Sequence, residues 1–424
     1  MRAKGWLRTD PPMLVGEQIL AMADEWPFPP LAGFIACPSL RPDGSVLAEA
    51  GYDSATGLYL ADALALPAIP ERPSRDDARK ALKLFLDLVA EFPFVDDASK
   101  SVALSMLITP VVRPAVGPVV PAHAFSTPAP GTGKSLLANL VGYIATGHPC
   151  AVIAADRKPE ETDKRLTGAL LSGRTLISLD NIRGAVASAL LCQAIEQPML
   201  DLRPLSTSAM VQIANTASVL MNGNNLTIAE DLVRRVIVGR IDANSEAPEE
   251  RIFKSDPIDC VTRNRADYIA AALIIVRAYI VADMPDVLAP LPSFANWSNK
   301  LRSALVWLGR TDPAETMAVA RLDDPVRQER AEIFQALVDA MGERGMRTSE
   351  LIAEADKQSA SGAYGHPELR TALQRIAPGS RDGIDATRLG RWLRDNVDTI
   401  AGGWKLVADR SDRTRPRWQM RGSQ

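Results

Sequence analysis

The chain has 424 residues, room for two or three domains, and its 48 basic residues are nearly balanced by 51 acidic ones. That balance excludes a protein coated in positive charge from end to end, while 46% apolar residues with few aromatics suit an ordinary globular core. No long apolar run lacks charges and no signal-peptide core stands near Met1, so no membrane partner is expected and the compartment read is the cytoplasm. The cysteines (Cys37, Cys150, Cys192, Cys260) and histidines (His123, His148, His366) are too scattered for a metal-ligand spacing. Isolated thiols of this kind suit a reducing compartment.

Residues 1–72 hold short apolar runs broken by Pro and Gly, with Pro42-Asp43-Gly44 and Thr56-Gly57 as hairpin signals, so a small β-rich module is expected. Pro67, Pro70 and Pro73 make a stiff linker. Ser74 then caps a helix with Asp76 and Asp77 in its first turn. Ala78, Ala81, Leu82, Phe85, Leu88, Val89 and Phe92 recur at helical spacing, and a second short helix falls around Val102 to Ile108. Residues 73–120 therefore read as a helical collar.

Four segments in residues 121–245 carry the chemistry. Pro128-Ala129-Pro130-Gly131-Thr132-Gly133-Lys134-Ser135 follows an apolar stretch (Val119 to Phe125) and precedes a Leu-rich helix. Small residues let backbone amides of Gly131, Thr132 and Gly133 turn inward onto phosphate oxygens. The helix N-terminus adds positive potential, Lys134 reaches the β- and γ-phosphates, and the Ser135 hydroxyl completes a Mg²⁺ shell. Pro128 stands where the usual loop has its first glycine, a place that Pro fills if φ is near −65° and no donor is needed. Next, Thr175-Leu176-Ile177-Ser178-Leu179-Asp180-Asn181 reads as a buried parallel strand ending in an acid at the ligand edge of the sheet, so Asp180 is the second metal residue. Asn181 occupies the place of the usual water-polarising Glu, so either hydrolysis is weak or the task falls to Asn181 itself, to Glu160 or Glu161, or to Glu196. Ser218-Val219-Leu220-Met221-Asn222-Gly223-Asn224-Asn225 is a further apolar strand closed by amides. Asn224 or Asn225 there can orient a water or touch the γ-phosphate. Arg234 and Arg235, on a short helix after Asp231, fit an arginine that reaches a neighbouring subunit's phosphates.

Residues 246–325 read as a helical extension, with a buried helix from Asn264 to Val281 and another from Trp297 to Leu308. Residues 326–424 begin with an amphipathic helix (327–345). Further helices and a hairpin follow, pairing Gly403-to-Val407 with Arg417-to-Met420. Helices followed by a two-stranded wing make a winged-helix plan. Arg388, Arg391 and Arg394 recur every three residues on its last helix, and with Lys405 and Arg417 on the wing they form the expected DNA face.

On Pro130-to-Ser135, Leu179-Asp180-Asn181, Gly223-Asn224-Asn225 and Asp231-to-Arg235, the chain resembles the helicase part of phage- and mobile-element-encoded primase–helicases. These are an AAA+ branch near superfamily 3 and the minichromosome maintenance helicases. Gly51-Tyr52-Asp53 upstream, and Leu305-to-Gly309 with Asp312-Pro313 downstream, extend the resemblance over most of the chain. It implies an α/β fold: an AAA+ P-loop ATPase core with the N-terminal module, collar and winged helix around it. It also implies Asp-Asn in place of Asp-Glu, and a pore hairpin in Leu200 to Gln212 containing Arg203. ATP and Mg²⁺ are the implied cofactors, single-stranded and forked DNA the implied substrates, and a homo-oligomeric ring, a hexamer, the implied assembly, with a separate primase as a further partner. A DNA-binding initiator that does not unwind, and a signalling ATPase whose winged helix meets protein, are the rival readings.

Overall fold

Short apolar stretches separated by turn residues build the N-terminal part of the computed structural model, which describes residues 10–22, 28–156, 158–251, 253–342, 344–409 and 416–423. Helix α1 (Met13–Ala21) buries none of its residues. Strands β1 (Gly33–Ile35), β2 (Ser39–Leu40), β3 (Val46–Leu47), β4 (Gly51–Asp53) and β5 (Leu58–Leu60) make two small sheets. One is the β2–β3 hairpin; in the other, β5 runs parallel to β1 and antiparallel to β4. The hairpin turn holds because Asp43 accepts from the amide and hydroxyl of Ser45 at 2.9 and 2.7 Å.

The collar comprises α2 (Arg75–Leu88), α3 (Asp97–Ile108) and α4 (Arg113–Val116). A capping box starts α2: the Asp77 amide donates to Ser74 Oγ at 3.2 Å and the Ser74 amide donates to the Asp77 carboxylate at 2.9 Å. The second collar helix starts earlier than the apolar run suggests, because Asp96 caps it through the Ser99 amide.

The central region alternates strand and helix: β6 (Ala122–Thr127), α5 (Lys134–Thr146), β7 (Val152–Ala154), α6 (Pro159–Leu171), β8 (Leu176–Val186), α7 (Ala189–Glu196). A β9–β10 hairpin (Met199–Leu202, Val211–Ala214) precedes β11 (Ser218–Ile228) and β12 (Val236–Arg240). Five of these strands form an all-parallel sheet in the order β12-β6-β11-β8-β7. Parallel strands put every C-terminal end on one edge, where open α/β sheets bind ligands. Strand β11 lies between β6 and β8, so its end stands between the loop after β6 and the acid on β8. Both β8 and β11 run well beyond the acid and amides at which the apolar runs stop, since their pairing continues to Val186 and Ile228.

Helices α8 (Pro257–Arg263), α9 (Arg265–Val281), α10 (Ala295–Trp297), α11 (Ser303–Trp307) and α12 (Thr316–Leu322) follow. Helix α9 is buried nearly all round and packs on α2, with the Phe85 and Tyr268 rings 5.6 Å apart. A π-helical turn over Ser298–Arg302 joins α10 to α11, where the sequence reads as one regular helix. The fully buried Trp297 ties this region to the collar by donating its indole N–H to Thr109 Oγ1 at 3.0 Å.

The C-terminal residues form α13 (Pro325–Met341), α14 (Thr348–Ala355), α15 (Pro367–Ile376), α16 (Ala386–Asp395) and an antiparallel sheet of β13 (Ile400–Ala401), β14 (Trp404–Asp409) and β15 (Arg417–Gly422). They close around a core of their own that includes Phe334, Leu337, Leu389, Leu393, Leu406 and Trp418. Among the described residues, no helix is long and apolar enough to cross a membrane.

Close approach of α5 to the chain that follows it yields a first prediction. A methyl group on Gly142 would stand 2.4 Å from the Cys150 nitrogen and 2.7 Å from the His148 carbonyl oxygen. Backbone cannot swing aside as a side chain can, so Gly142→Ala should lower stability by about 3 kcal/mol. Thermal or urea unfolding measures this; an unchanged midpoint would show that α5 does not pack there.

Candidate functional site

The loop after β6 folds back because two glycines take left-handed conformations, Gly131 at φ +79° and Gly133 at φ +102°. Both also admit close neighbours: a methyl on Gly131 would meet Glu249 at 2.8 Å, and one on Gly133 would meet the Phe92 ring at 3.3 Å. Lys134 opens α5 and turns its half-buried ammonium towards the end of the sheet. There it donates to Thr127 Oγ1 at 2.8 Å and to Asn224 Oδ1. Burial pulls its pKa below the ordinary lysine value, against the opposing pull of Asp180. Ser135, the next residue, donates its hydroxyl to Asp180 Oδ2 at 3.1 Å. Lys134, Ser135, Asp180 and Asn224 thus meet, as their order in the sequence requires. Thr127 joins them unforeseen, although its place at the mouth of the loop was a signal.

Asp180 and Asn181 sit on a β-bulge. Leu179 faces Met221 but Ile182 faces Gly223, so β8 carries one extra residue here. Asn181 absorbs it at φ +59°, with its amide donating to Asp180 Oδ1 at 2.7 Å. Most L-residues pay roughly 1–2 kcal/mol in that conformation and Asn less, which suits Asn to this position. Further on, Asn225 takes φ +48° at a second irregularity, between Asn224 and Thr227 on β11. Asn224 is therefore the amide at the lysine, and Asn225 is exposed beside it.

Two of the carboxylates expected to polarise water lie together on α6. Glu161 lies in the first turn of α6 and pairs with Lys164 at 2.7 Å; Glu160 is exposed in the same turn. A cavity of about 420 Å³ beside Asn181 is instead lined by Asp156 and Asp163. Asp163 accepts from Ser188 at 2.8 Å, and Asp156 pairs with Arg165 at 3.2 Å. Neither was singled out in the sequence, because both sit in polar segments with no motif around them.

The arginine pair divides in two, and it sits on a 3-10 turn (Glu230–Arg234) rather than an α-helix. Arg235 is buried, held by Glu196 and by Asp231, whose carbonyl oxygen also accepts from it. Arg234 is half exposed, held by Asp231 at 2.6 Å with Glu196 at 3.6 Å. Glu196 is thereby committed to an ion cluster that also receives the Ser293 hydroxyl. Burial raises its pKa, but Ser293, Arg235 and Arg234 together hold it below the usual carboxylate range.

The β9–β10 hairpin occupies the region expected to hold a pore hairpin. Its tip exposes Leu205 and Met210, while Arg203 donates to the Thr207 carbonyl at 2.7 Å. On α16, Arg388, Arg391 and Arg394 are exposed along one side, and Arg388 reaches the Pro378 carbonyl at 2.8 Å. Lys405 and Arg417 have acidic partners within the same module, Asp398 at 2.9 Å and Glu350 at 3.5 Å. Among the described residues no His, Cys, Asp and Glu cluster has the makings of a metal centre. The four cysteines are free, and burial pushes the Cys37 and Cys150 thiols up to about 12. His123, buried in β6 against Ser105, is pushed down to about 3 by the same cause.

No family model and no curated protein matches the sequence. Among solved structures, the chain is similar to an apo A form of the NrS-1 C-terminal region, at 14% identity and TM-score 0.41, over 90% of this chain and 83% of that one. A second apo structure of that region matches at 14% identity and TM-score 0.37, over 84% and 76%. JCV helicase, bound to a thiazolopyridine compound, matches at 9% identity and TM-score 0.24, over 59% and 74%. At such scores the likeness carries no functional argument, and the site has to be judged on its own side chains.

The divided arginines can be separated by mutation. Arg235→Ala should lower stability by about 3 kcal/mol, because it removes the buried cation from Glu196 and leaves that carboxylate with Ser293 and the more distant Arg234. Arg234→Ala should cost about 1 kcal/mol or less, as for exposed ion pairs. Equal losses in denaturant unfolding would refute the division.

Proposed function

We propose that the chain is an ATP-hydrolysing, ring-forming DNA helicase that serves replication of a phage, plasmid or integrative element. The observation that carries this reading is the meeting of Lys134 and Ser135, at the start of α5, with Asp180 and Asn224 on the adjacent parallel strands β8 and β11. In this reading residues 121–245 are the AAA+ motor, flanked by the N-terminal module (1–72), the collar (73–120) and the helical extension (246–325). Residues 326–424 are a winged helix, a reading supported by the Met346–Trp418 bridge that ties the chain after α13 to the β14–β15 wing.

The site's residues fit a nucleoside triphosphate. Lys134 takes hydrogen bonds from its ammonium to two neutral side-chain oxygens, the kind of partner that phosphate oxygens replace with charge. The amides of Gly131, Thr132 and Gly133 supply further donors at a helix N-terminus. Ser135 and Asp180 offer the hard oxygen ligands that Mg²⁺ prefers, and the ion when bound offsets phosphate charge. Asn224, released from Lys134 as the phosphates take its place, orients the attacking water. Asn181 holds the Asp180 bulge, and Asp163 or Asp156 is the better placed base beside it than Glu161. Arg234, exposed at the end of its turn, reaches a neighbouring subunit's phosphates, a role that requires an oligomer. The β9–β10 hairpin with Arg203 meets single-stranded DNA in the pore.

Lys134→Ala should abolish ATP hydrolysis with the fold intact by circular dichroism; retained turnover would remove the nucleotide site from this loop. Arg234→Ala should bind ATP without hydrolysing it, and mixing it with Lys134→Ala should recover part of the activity. Recovery requires a site shared between subunits, so two inert proteins that stay inert on mixing would count against the ring.

The DNA face narrows to α16. Reversing Arg388, Arg391 and Arg394 to Glu should weaken duplex binding and flatten its salt dependence by about 0.9 in log–log slope per lost phosphate contact. Lys405→Ala and Arg417→Ala, whose charges are already paired, should change it less. Unaltered binding by the triple variant across salt concentrations would mean that this module meets protein.

A further inference from the structure

A second cavity, of about 420 Å³, opens at the other end of the parallel sheet. Thr175 and Leu176, where β8 begins, and Ser218, where β11 begins, line its floor. It therefore faces away from the edge that carries Lys134 and Asp180. Its walls come from three separate parts of the chain: the N-terminal sheets, the collar around α4, and the π-helical turn before α11. Most of the lining is apolar, including Ile35, Leu58 and Val111.

Two cations break that lining, Arg113 and Lys300. Arg113 is only 8% exposed, and its guanidinium donates to backbone carbonyls alone, Gly117 at 2.7 Å and Ala217 at 3.1 Å, leaving Nε without a partner. Lys300, half-buried, likewise donates to the carbonyls of Pro42 at 2.7 Å and Ala115 at 2.9 Å. Burial draws both below their ordinary pKa values, Arg113 to about 10. Among the described residues no carboxylate lines the cavity; Asp43, the acid that acts on Lys300, sits on the exposed β2–β3 turn. Buried cations are normally paired, because removal from water is costly unless an anion compensates. Here two stand at one apolar cavity of ligand size, and the hydrogen-bond acceptors given to them are neutral backbone carbonyls.

We propose that this cavity binds a small anionic molecule with an apolar body, its acid group held between Arg113 and Lys300 and its hydrocarbon against the surrounding side chains. Medium-chain carboxylates and alkyl phosphates share that chemistry. The site is separate from the nucleotide site and stands whether or not the chain hydrolyses ATP.

Anilinonaphthalene sulfonate, an apolar anion, is the first probe, titrated by fluorescence into the full chain. Saturable binding at one site per chain is expected, displaced by octanoate or by octyl phosphate, and whichever competes better identifies the head group. Octanol at equal concentration should not compete. Lys300→Gln, which keeps a donor but removes the charge, should weaken octanoate competition by about tenfold or more. Thr216→Trp, which places bulk in the cavity while keeping both cations, should abolish it while far-ultraviolet circular dichroism stays unchanged. The proposal falls if neither substitution alters binding, if octanol competes as well as octanoate, or if no saturable site is found and the cavity holds water only.

Discussion

A half-buried ammonium must have oxygen around it, and much of the site's design follows from where Lys134 finds that oxygen. Thr127 and Asn224 supply it from two neighbouring strands, β6 and β11, which stand in register at those residues. Asp180, on the next strand over, is held to the same helix through Ser135. One turn of α5 is thus fastened to three parallel strands by side-chain bonds alone. Strand β11 has to lie between the other two for this to work, and the sheet order provides it. The bonds to Lys134 are modest, since both acceptors are neutral, so the arrangement is preformed yet weak enough for a charged oxygen to displace it.

Much of this was legible in the sequence, for a physical reason. Phosphate-binding loops need small residues, a lysine and a hydroxyl at fixed local spacing, and buried parallel strands need unbroken apolar runs. Both are short-range demands, so Gly131 to Ser135 and Leu176 to Asp180 announce themselves. The helix caps at Ser74 and the Asp43-Gly44 turn are legible on the same ground. What stayed hidden depends on residues far apart in the chain. Nothing near Arg235 distinguishes it from Arg234; its closer pairing with Glu196, from a helix three strands earlier, goes with burial of the one while the other stays half exposed. Asp163 looks like any surface acid until β8 is laid beside α6. The length of β8 and β11 was also missed, because their outer halves carry Arg183, Gly184 and Asn225, which break the apolar pattern while the backbone pairing goes on.

The loop is also gripped from outside the sheet. Phe92, at the end of the collar's first helix, lies against Gly133 and belongs to a set of rings with Phe94, Phe253 and, through Phe94, Phe125 of β6. Glu249 closes on Gly131 from the segment after β12. The two glycines therefore have a second use besides their φ angles, which is to let an aromatic ring and a carboxylate come close. The loop is thus in direct contact with residues on both sides of the central region, Phe92 before it and Glu249 after it.

The two irregularities on β8 and β11 have a counterpart in how such a chain can change. Leu176 faces Ser218 and Val186 faces Ile228, so the extra residue at Asn181 on one strand is cancelled by the one at Asn225 on the other. Deleting either alone would slide the outer half of one strand by a residue and turn its inward side chains outward. Deleting both would leave the pairing whole at each end. These two asparagines, forty-four positions apart by their numbers, form a matched pair of insertions, so the damage done by deleting one is confined to the stretch between them once the other is deleted as well.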